Sequence, residues 1–319
     1  MSSAGAPPAK RQRTDDASVT RSDIWYSDGG VVLQAQNTQF RVHWSLLAQS
    51  SSFFRDMQTL PQPPDQPSAE GCPIVELQDS AEDVKQLLTT LYTPTLPLSK
   101  TRDVPFATVA ALIRLGRKYE FQTLLESALE LVTGDYPATL EEFMVLPNAD
   151  RNRVISYNGI GFEMVTLLRE NNIMTALPAA YFRVVSEYTH AEFFAGVRNP
   201  DGRRSSLAPI DQQRCSLGRE KLLVAQLQSG CTFGWLFEWS DQQDCSNVQE
   251  CQLRRGNRIR RCINVVELRA LNPEVITPVF CPACTRHIEK MAAAGRKKVW
   301  AELPTFFNLP PWSKLKNDP

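Results

Sequence analysis

The chain has 319 residues, of which 42% are hydrophobic and 22% charged, and its 35 basic residues balance 35 acidic ones. This composition is that of a globular protein, and the length favours about two domains. Zero formal charge argues against a surface coated for nucleic acid or for an anionic membrane, so a charged partner would need a local patch.

No apolar run approaches the roughly 18 to 20 residues that span a bilayer, and residues 1–20 lack the apolar segment of a secretory signal. We therefore expect a soluble, intracellular protein with no membrane partner. In that compartment, the eight cysteines are expected to be free or metal-bound rather than paired in disulfides.

Residues 1–20 are rich in Ser, Ala, Pro and charged residues, so we predict a disordered tail. Lys10, Arg11 and Arg13 form a short basic cluster of the kind that import receptors bind. The alternative is that these residues belong to an ordinary solvated tail, because short basic clusters of this kind are common there. The location is expected to be nuclear or cytoplasmic, with the cluster favouring the nucleus.

Between residues 21 and 92, β-rich runs are followed by helical patterns. The runs around Ile24–Tyr26 with Val31–Leu33 and around Phe40–Val42 predict a strand, turn and strand. His43–Met57 predicts two short helices interrupted by serines, and Pro73–Leu77 predicts a strand.

Three apolar stripes at helical spacing follow. Ser80–Asp83 fits an N-terminal capping pattern and is followed by a stripe at positions i, i+3, i+4 and i+7, which predicts a helix. Two further helices are predicted from stripes over Val109–Tyr119 and Leu124–Val132.

Particular residues occur on these elements in a recognisable order. They are Asp23-Ile24, Phe40-x-x-His43, Leu46-Leu47-Ala48, Ser51, Phe53–Met57, Leu87-Leu88-x-x-Leu91-Tyr92-Thr93 and Leu112–Tyr119 with Leu124-Leu125. In this order they resemble the BTB (POZ) domain, over about residues 23–132. The pattern is similar to variants common in mushroom-forming fungi, although Trp44 stands where many members carry Lys or Arg.

The resemblance implies an α+β domain at residues 21–134 that mediates protein–protein interaction. It implies a homodimer and, in some members, recruitment of a cullin-type ubiquitin ligase or of transcriptional partners. Family geometry would place the dimer seam at about Asp23–Leu47. It also implies that Asp23 and His43 form a buried polar pair with a structural rather than catalytic role.

Residues 135–230 show helical stripes without strand alternation, which predicts a helical extension. Within it, Asn199–Ser206 is interpreted as a polar loop. An ordinary solvated connector is favoured over a site of phosphorylation or partner binding. The apolar C-terminal residues from Val299 to Trp312 are expected to dock on this helical part.

Residues 231–319 form a cysteine-rich C-terminal region with six of the eight cysteines. Cys281-Pro-Ala-Cys284 precedes a helical stretch, and Cys245 and Cys251 form a looser pair upstream. Two such pairs supply four thiolates to a structural zinc ion, with Cys262 and His287 as substitute ligands. Buried free thiols and, less favoured, a redox pair remain alternatives.

Five arginines, Arg254, Arg255, Arg258, Arg260 and Arg261, lie between the two cysteine pairs. Beside a zinc knuckle they suggest a nuclear regulator that associates with nucleic acid. A charged edge strand at 258–268 is the favoured alternative, so nucleic acid is not expected as a partner.

We find no phosphate-binding glycine loop, nucleophile elbow, kinase set or His-Glu-x-x-His motif, and the three histidines are far apart in sequence. We therefore expect no enzyme. The sequence predicts an α+β BTB/POZ-like domain of short strands with a helical cluster, followed by a mainly helical, cysteine-containing C-terminal region.

Overall fold

The computed structural model describes residues 19–61, 65–93, 103–145, 154–239, 244–264, 267–272 and 280–317. The described residues divide into two compact units, one formed by residues up to 93 with 115–125 and the other by residues 103–114 with those from 126 onward. The basic cluster at residues 10–13 lies outside the described residues.

The first unit contains a five-stranded sheet with the order β1-β3-β2-β5-β4. Its strands are β1 (Thr20–Trp25), β2 (Val31–Ala35), β3 (Thr38–Val42), β4 (Ser68–Ala69) and β5 (Cys72–Leu77). Strands β2 and β3 form an antiparallel hairpin in which Leu33 lies opposite Phe40. Strand β1 pairs with β3 and β5 pairs with β2, both in parallel. The N-terminal part is thus three strands where the sequence predicted two runs.

The predicted short helices occur as α1 (Trp44–Ser50) and α2 (Ser52–Thr59). Ser51 separates them because its extended backbone ends α1, while its side chain accepts a hydrogen bond from the Phe54 amide and so caps α2. The Ser51 hydroxyl also donates to the Tyr119 carbonyl at 2.5 Å. Phe54 is buried, and its ring contacts those of Tyr119 and Phe121.

Three more predicted helices are confirmed as α3 (Ala81–Tyr92), α4 (Phe106–Lys118) and α5 (Gln122–Asp135). Ser80 caps α3 by accepting a hydrogen bond from the Asp83 amide, as its sequence pattern predicted. Between α4 and α5 the chain approaches closely at Gly116, where an added Cβ would lie 3.1 Å from that of Leu125. Any larger residue at this contact would need Leu125 to move by a few tenths of an ångström.

The second unit is mainly helical, as predicted. Its further helices are α6 (Leu140–Val145), α7 (Ile160–Glu170), α8 (Leu177–Glu187), α9 (His190–Ala195), α10 (Pro209–Ala225), α11 (Val248–Asn264) and α12 (Pro282–Phe306). Short 3-10 helices occur at Gly234–Leu236 and Trp312–Lys314. Within this unit Asp211 is fully buried and accepts hydrogen bonds from Tyr181 and Arg169, which joins α7, α8 and α10.

The apolar C-terminal residues dock on helices of this unit, as the sequence predicted. The Trp300 ring stacks on Trp312, whose indole N–H donates to the Trp300 carbonyl. The Phe307 ring stacks on Tyr181 of α8 with a centroid separation of 5.2 Å.

Two predictions for this unit are wrong. The stretch 135–230 contains a two-stranded antiparallel hairpin, β6 (Val197–Arg198) and β7 (Arg204–Ser205), so the predicted loop is partly strand. Its strands are too short to show alternation. The predicted edge strand at 258–268 is also wrong, because its first part belongs to helix α11. Arginine is a good helix former, and Ile259 and Cys262 pack against an apolar cluster on one helix face.

None of the helices in the described ranges is long and apolar enough to cross a membrane.

Candidate metal centre and interaction surface

Four cysteines from two helix starts meet in the second unit. Cys251 lies in the first turn of α11, Cys281 is the N-cap residue of α12, Cys284 is in the first turn of α12, and Cys245 precedes α11. All four Sγ atoms lie within 4.8 Å of one another, and those of Cys245 and Cys281 are 3.6 Å apart. The structure therefore brings together the four residues that the sequence predicted as metal ligands.

The wide spacing of the first pair has a local explanation. Asn247 caps α11, because its side chain accepts a hydrogen bond from the Glu250 amide and its carbonyl accepts one from the Cys251 amide. The chain thus turns into the helix between Cys245 and Cys251, which lets both sulfurs reach the same point. The second pair needs only two intervening residues because Pro282 starts α12 directly after Cys281.

The four thiols differ in burial and in acidity. Cys251 and Cys284 are buried, while Cys245 and Cys281 are half-buried. The backbone N–H of Cys284, in the first turn of α12, lowers the pKa of the Cys281 thiol to about 6, and the backbone of Ser246 acts in the same direction. Burial raises the pKa of Cys251 and of Cys284. Without a cation the cluster thus favours a thiolate at Cys281 and neutral thiols at the two buried positions.

The sulfur positions suit a tetrahedral metal. Zn–S bonds of about 2.3 Å place the four sulfurs of a tetrahedron about 3.8 Å apart, and the observed separations bracket that value. Disulfide bonds are much shorter, at about 2.05 Å, and all eight cysteines are free. Across the described part of the chain, no other group of three or more His, Cys, Asp or Glu side chains converges in this way.

The substitute ligands are not members of this cluster. Cys262 packs against the apolar cluster formed by Phe233, Trp235, Leu236 and Ile288. His287 is half-buried on α12, one turn beyond Cys284, and lies outside the group of four. Four sulfurs complete a tetrahedron, so neither residue is needed as a ligand.

An aromatic group that the sequence did not predict lies beside the cysteines. Trp239 and Phe280 contact each other and Trp235, with ring centroids 5.8 to 6.1 Å apart. Arg255 from α11 donates to the Leu236 carbonyl at 2.6 Å, and its guanidinium lies over the Trp239 ring. The signal that could have found this packing is the placement of aromatic residues just outside each cysteine pair.

The five arginines between the two cysteine pairs make different contacts and differ in burial. Arg254 pairs with Glu250 one turn earlier, and Arg255 is engaged by Leu236 as described. Arg260 is exposed, whereas Arg258 is half-buried in the wall of a cleft with Arg261. The five side chains therefore do not form one continuous basic stripe.

In the first unit, the predicted pairing of Asp23 with His43 is wrong. The Asp23 side chain is 70% exposed and pairs with Lys85, which lowers its pKa. His43 Nε2 instead lies 3.2 Å from Asp28, and its Nδ1 lies 2.9 Å from the Tyr92 hydroxyl. Asp23, on the edge strand β1, is therefore exposed to solvent and contacts Lys85 rather than the core.

Half-buried aromatic side chains surround His43. The Tyr26 ring stacks on Tyr92 at 4.4 Å between centroids, and Trp44 lies beside Gly30 at the start of α1. Trp25 at the end of β1 is covered on one face by the Arg21 guanidinium. We call Trp25, Tyr26 and Trp44 the aromatic surface. It falls within the stretch predicted to form a dimer seam.

Comparison with known proteins identifies one part of the chain. Residues 26–134 match the family model of the BTB/POZ domain, which is about a third of the sequence. No curated protein matches the chain. The match contains the helical pair α1 and α2, helices α3 to α5, and most of the sheet. BTB/POZ domains are in general protein–protein interaction modules and not enzymes. Residues 26–134 are therefore a BTB/POZ domain, and they are followed by a mainly helical region with a four-cysteine cluster that could hold a metal ion.

Proposed function

We propose that the protein is an adaptor that associates with itself through the aromatic surface of its BTB/POZ domain. The observation that carries the proposal is that Trp25, Tyr26 and Trp44, all half-buried, lie at the end of β1, directly after it and at the start of α1. Tryptophan and tyrosine are enriched at interface centres, because they bury a large apolar area at low cost in side-chain entropy.

Self-association would cover the part of these rings that the isolated chain leaves in contact with water. The exposed Asp28 and Ser45 beside them fit a polar rim. The same surface on two copies suits a two-fold interface, the commonest form of closed association.

Light scattering at micromolar concentration tests this proposal. We expect a dimer for the unmodified chain and a monomer for Trp44→Glu and for Trp25→Glu, because a carboxylate at the interface would be buried without a partner. Phe194→Glu is the matched control, since Phe194 is 61% exposed in the second unit. Circular dichroism establishes that each variant is folded. A monomer for the unmodified chain, or dimers for both folded tryptophan variants, would contradict the proposal.

The partner that such an adaptor recruits is proposed by class only, as a cullin-type ubiquitin ligase or a transcriptional protein. Affinity capture with the full chain, followed by mass spectrometry, identifies which class of protein is bound. The same capture with Trp44→Glu tests whether binding depends on the aromatic surface. A cullin recovered with the unmodified chain supports the first class, and recovery of neither class contradicts both.

We also propose that Cys245, Cys251, Cys281 and Cys284 bind one structural zinc ion. Four thiolates close the coordination sphere and leave no position for substrate, which is typical of structural rather than catalytic sites. The positive ends of α11 and α12 face the cluster and favour thiolates. Cobalt(II) added in place of zinc should give the absorption bands of a tetrahedral thiolate site. Cys262→Ser should retain these bands and Cys281→Ser should change them.

No catalytic activity is proposed. A nucleic-acid role has less support, because Arg254 and Arg255 are engaged within the protein. For location we propose the nucleus from the cluster at residues 10–13. Replacing Lys10, Arg11 and Arg13 by Ala in a fluorescent fusion should shift the signal to the cytoplasm, and an unchanged distribution would contradict this role.

A further inference from the structure

A cleft in the second unit is lined by three guanidinium groups. Arg258 and Arg261 project from α11, and Arg269 comes from the segment 267–272. The cleft has a volume of about 400 Å³, including its mouth, which is open to solvent. Leu227 and Phe233 supply an apolar wall.

Hydrogen bonds fix the segment that carries Arg269. The buried Gln226 side chain donates to the Glu267 carbonyl at 3.0 Å and accepts from the Arg269 amide at 2.9 Å. The buried Thr232 hydroxyl donates to the Ala270 carbonyl. The backbone that carries Arg269 is therefore held in a defined position beside the cleft.

The lining of the cleft has a surplus of positive charge. Among its described lining residues the only carboxylate is Glu267, and this carboxylate pairs with Arg269. Three cations against one anion leave a net charge of +2. Burial lowers the pKa of Arg258, and the neighbouring charges of Arg261 and Arg269 lower it further. An anion in the cleft would remove this repulsion and would stabilise the charged form of Arg258.

We propose that the cleft binds one phosphoryl group of a phosphomonoester. A phosphoryl dianion matches the surplus charge, and planar guanidinium groups donate paired hydrogen bonds to its oxygens. A short cleft with an apolar wall fits a single terminal group better than the backbone of a nucleic acid, which requires a row of contacts. The group can come from a small phosphate ester or from a phosphorylated side chain of a protein partner.

Cys262 provides a reporter in the full-length protein. It lines the same cleft, is half-buried, and is not one of the four clustered cysteines. Alkylation of Cys262 by iodoacetamide, followed by peptide mass spectrometry, measures access to the cleft. The probes are inorganic phosphate, a phosphoserine tripeptide, the same peptide without phosphate, a single-stranded oligonucleotide, and sodium chloride at matched ionic strength.

We expect inorganic phosphate and the phosphopeptide to slow the alkylation of Cys262, and the unphosphorylated peptide and chloride to leave it unchanged. Arg258→Ala and Arg261→Ala should each raise the phosphate concentration needed for half-protection by about tenfold or more. Arg260→Ala is the matched control, because Arg260 is exposed on the same helix outside the cleft, and it should leave that concentration unchanged. Circular dichroism identifies any variant that fails to fold.

Stronger protection by the phosphopeptide than by free phosphate assigns the source to a phosphorylated partner, and the reverse order assigns it to a small ester. Absence of protection by either probe in the millimolar range would overturn the proposal. Equal weakening by Arg260→Ala and Arg258→Ala would overturn it as well. So would tighter protection by a single-stranded oligonucleotide that depends equally on Arg260.

Discussion

Helices α3 and α11 show how differently the two regions of this molecule are held in place. Helix α3 buries four of its twelve residues, Val84, Leu87, Leu88 and Thr90, as one stripe in the BTB/POZ domain. Helix α11 has seventeen residues, and of its described side chains only Cys251 is buried. The other interactions that hold α11 in place are the cysteine cluster, the Arg255 hydrogen bond and a few half-buried apolar contacts.

The two regions therefore depend on different forces. The domain is stabilised by apolar burial, at roughly 25 cal/mol per Å² of apolar surface. The cysteine region buries too little around α11 for that to suffice. On our proposal, metal coordination supplies the difference, since structural zinc binding is on the order of 10 kcal/mol at neutral pH. Changes at the cysteines should therefore affect one region, and changes in the apolar core the other.

The largest expected effect is on the cysteine region. Cys281→Ser combined with Cys284→Ser should lose the metal and raise hydrogen exchange throughout α11 and the first turns of α12. The later turns of α12 should stay protected, because Val299, Trp300 and Leu303 are buried. Hydrogen exchange with mass spectrometry measures the protection of α11 and of the early and later turns of α12. The protection of α1 to α3 should not change.

Two controls sharpen this prediction. Cys262→Ser changes a thiol on the same helix outside the cluster and should leave α11 protected. Chelator treatment of the unmodified protein should reproduce the effect of the double variant, and added zinc should reverse it. Unchanged exchange in α11 after complete chelation would show that packing alone holds this helix.

The second effect is expected in the domain. Phe54→Ala removes a ring that is 1% exposed and contacts Tyr119 and Phe121, so it should destabilise the first unit by about 3 to 5 kcal/mol. Amide exchange of β2 and β3 measures this change, and the metal content should stay the same. Phe53→Ala, at the half-buried neighbouring position, should cost clearly less. Equal costs for the two variants would contradict the packing described here.

A smaller effect is expected at the turn between α1 and α2. Ser51→Ala removes the helix cap and leaves the buried Tyr119 carbonyl without its hydroxyl donor, at a cost of about 1 to 3 kcal/mol. Ser52→Ala, next to it, loses only a surface hydrogen bond to Glu120 and should change stability by less than about 0.5 kcal/mol. Urea unfolding followed by amide exchange in α2 compares the two, and a larger cost at Ser52 would contradict the cap assignment.

The same difference between the two regions decides which helices could be predicted from the sequence. Helices α3 to α5 repeat buried residues at helical spacing, so their pattern and their fold agree. Helix α11 has almost no such stripe, and the sequence at 258–268 therefore predicts an edge strand where the structure has the last turns of this helix. The sequence signal for the start of this helix was Asn247-x-x-Glu250, which is a capping pattern. In the structure the Asn247 side chain caps the helix by accepting a hydrogen bond from the Glu250 amide.

Other predictions were wrong because they concerned contacts between residues that sequence spacing alone cannot rank. His43 lies near Asp28 and Tyr92, and the four aspartates that precede His43 in the sequence offer no means of choosing among them by spacing. The hairpin β6–β7 is too short to show a period of two. The cysteines could be predicted because thiolate pairs need few residues and fixed spacing, whereas the aromatic residues beside them gave no periodic signal.

Metal analysis of the full chain, purified without chelator, tests most directly whether coordination holds the cysteine region. The account predicts about one zinc per chain in the unmodified protein and in Cys262→Ser, and almost none in Cys281→Ser with Cys284→Ser. Far less than one equivalent of any metal in the unmodified protein, with α11 still protected from hydrogen exchange, would contradict it and identify the four cysteines as buried thiols.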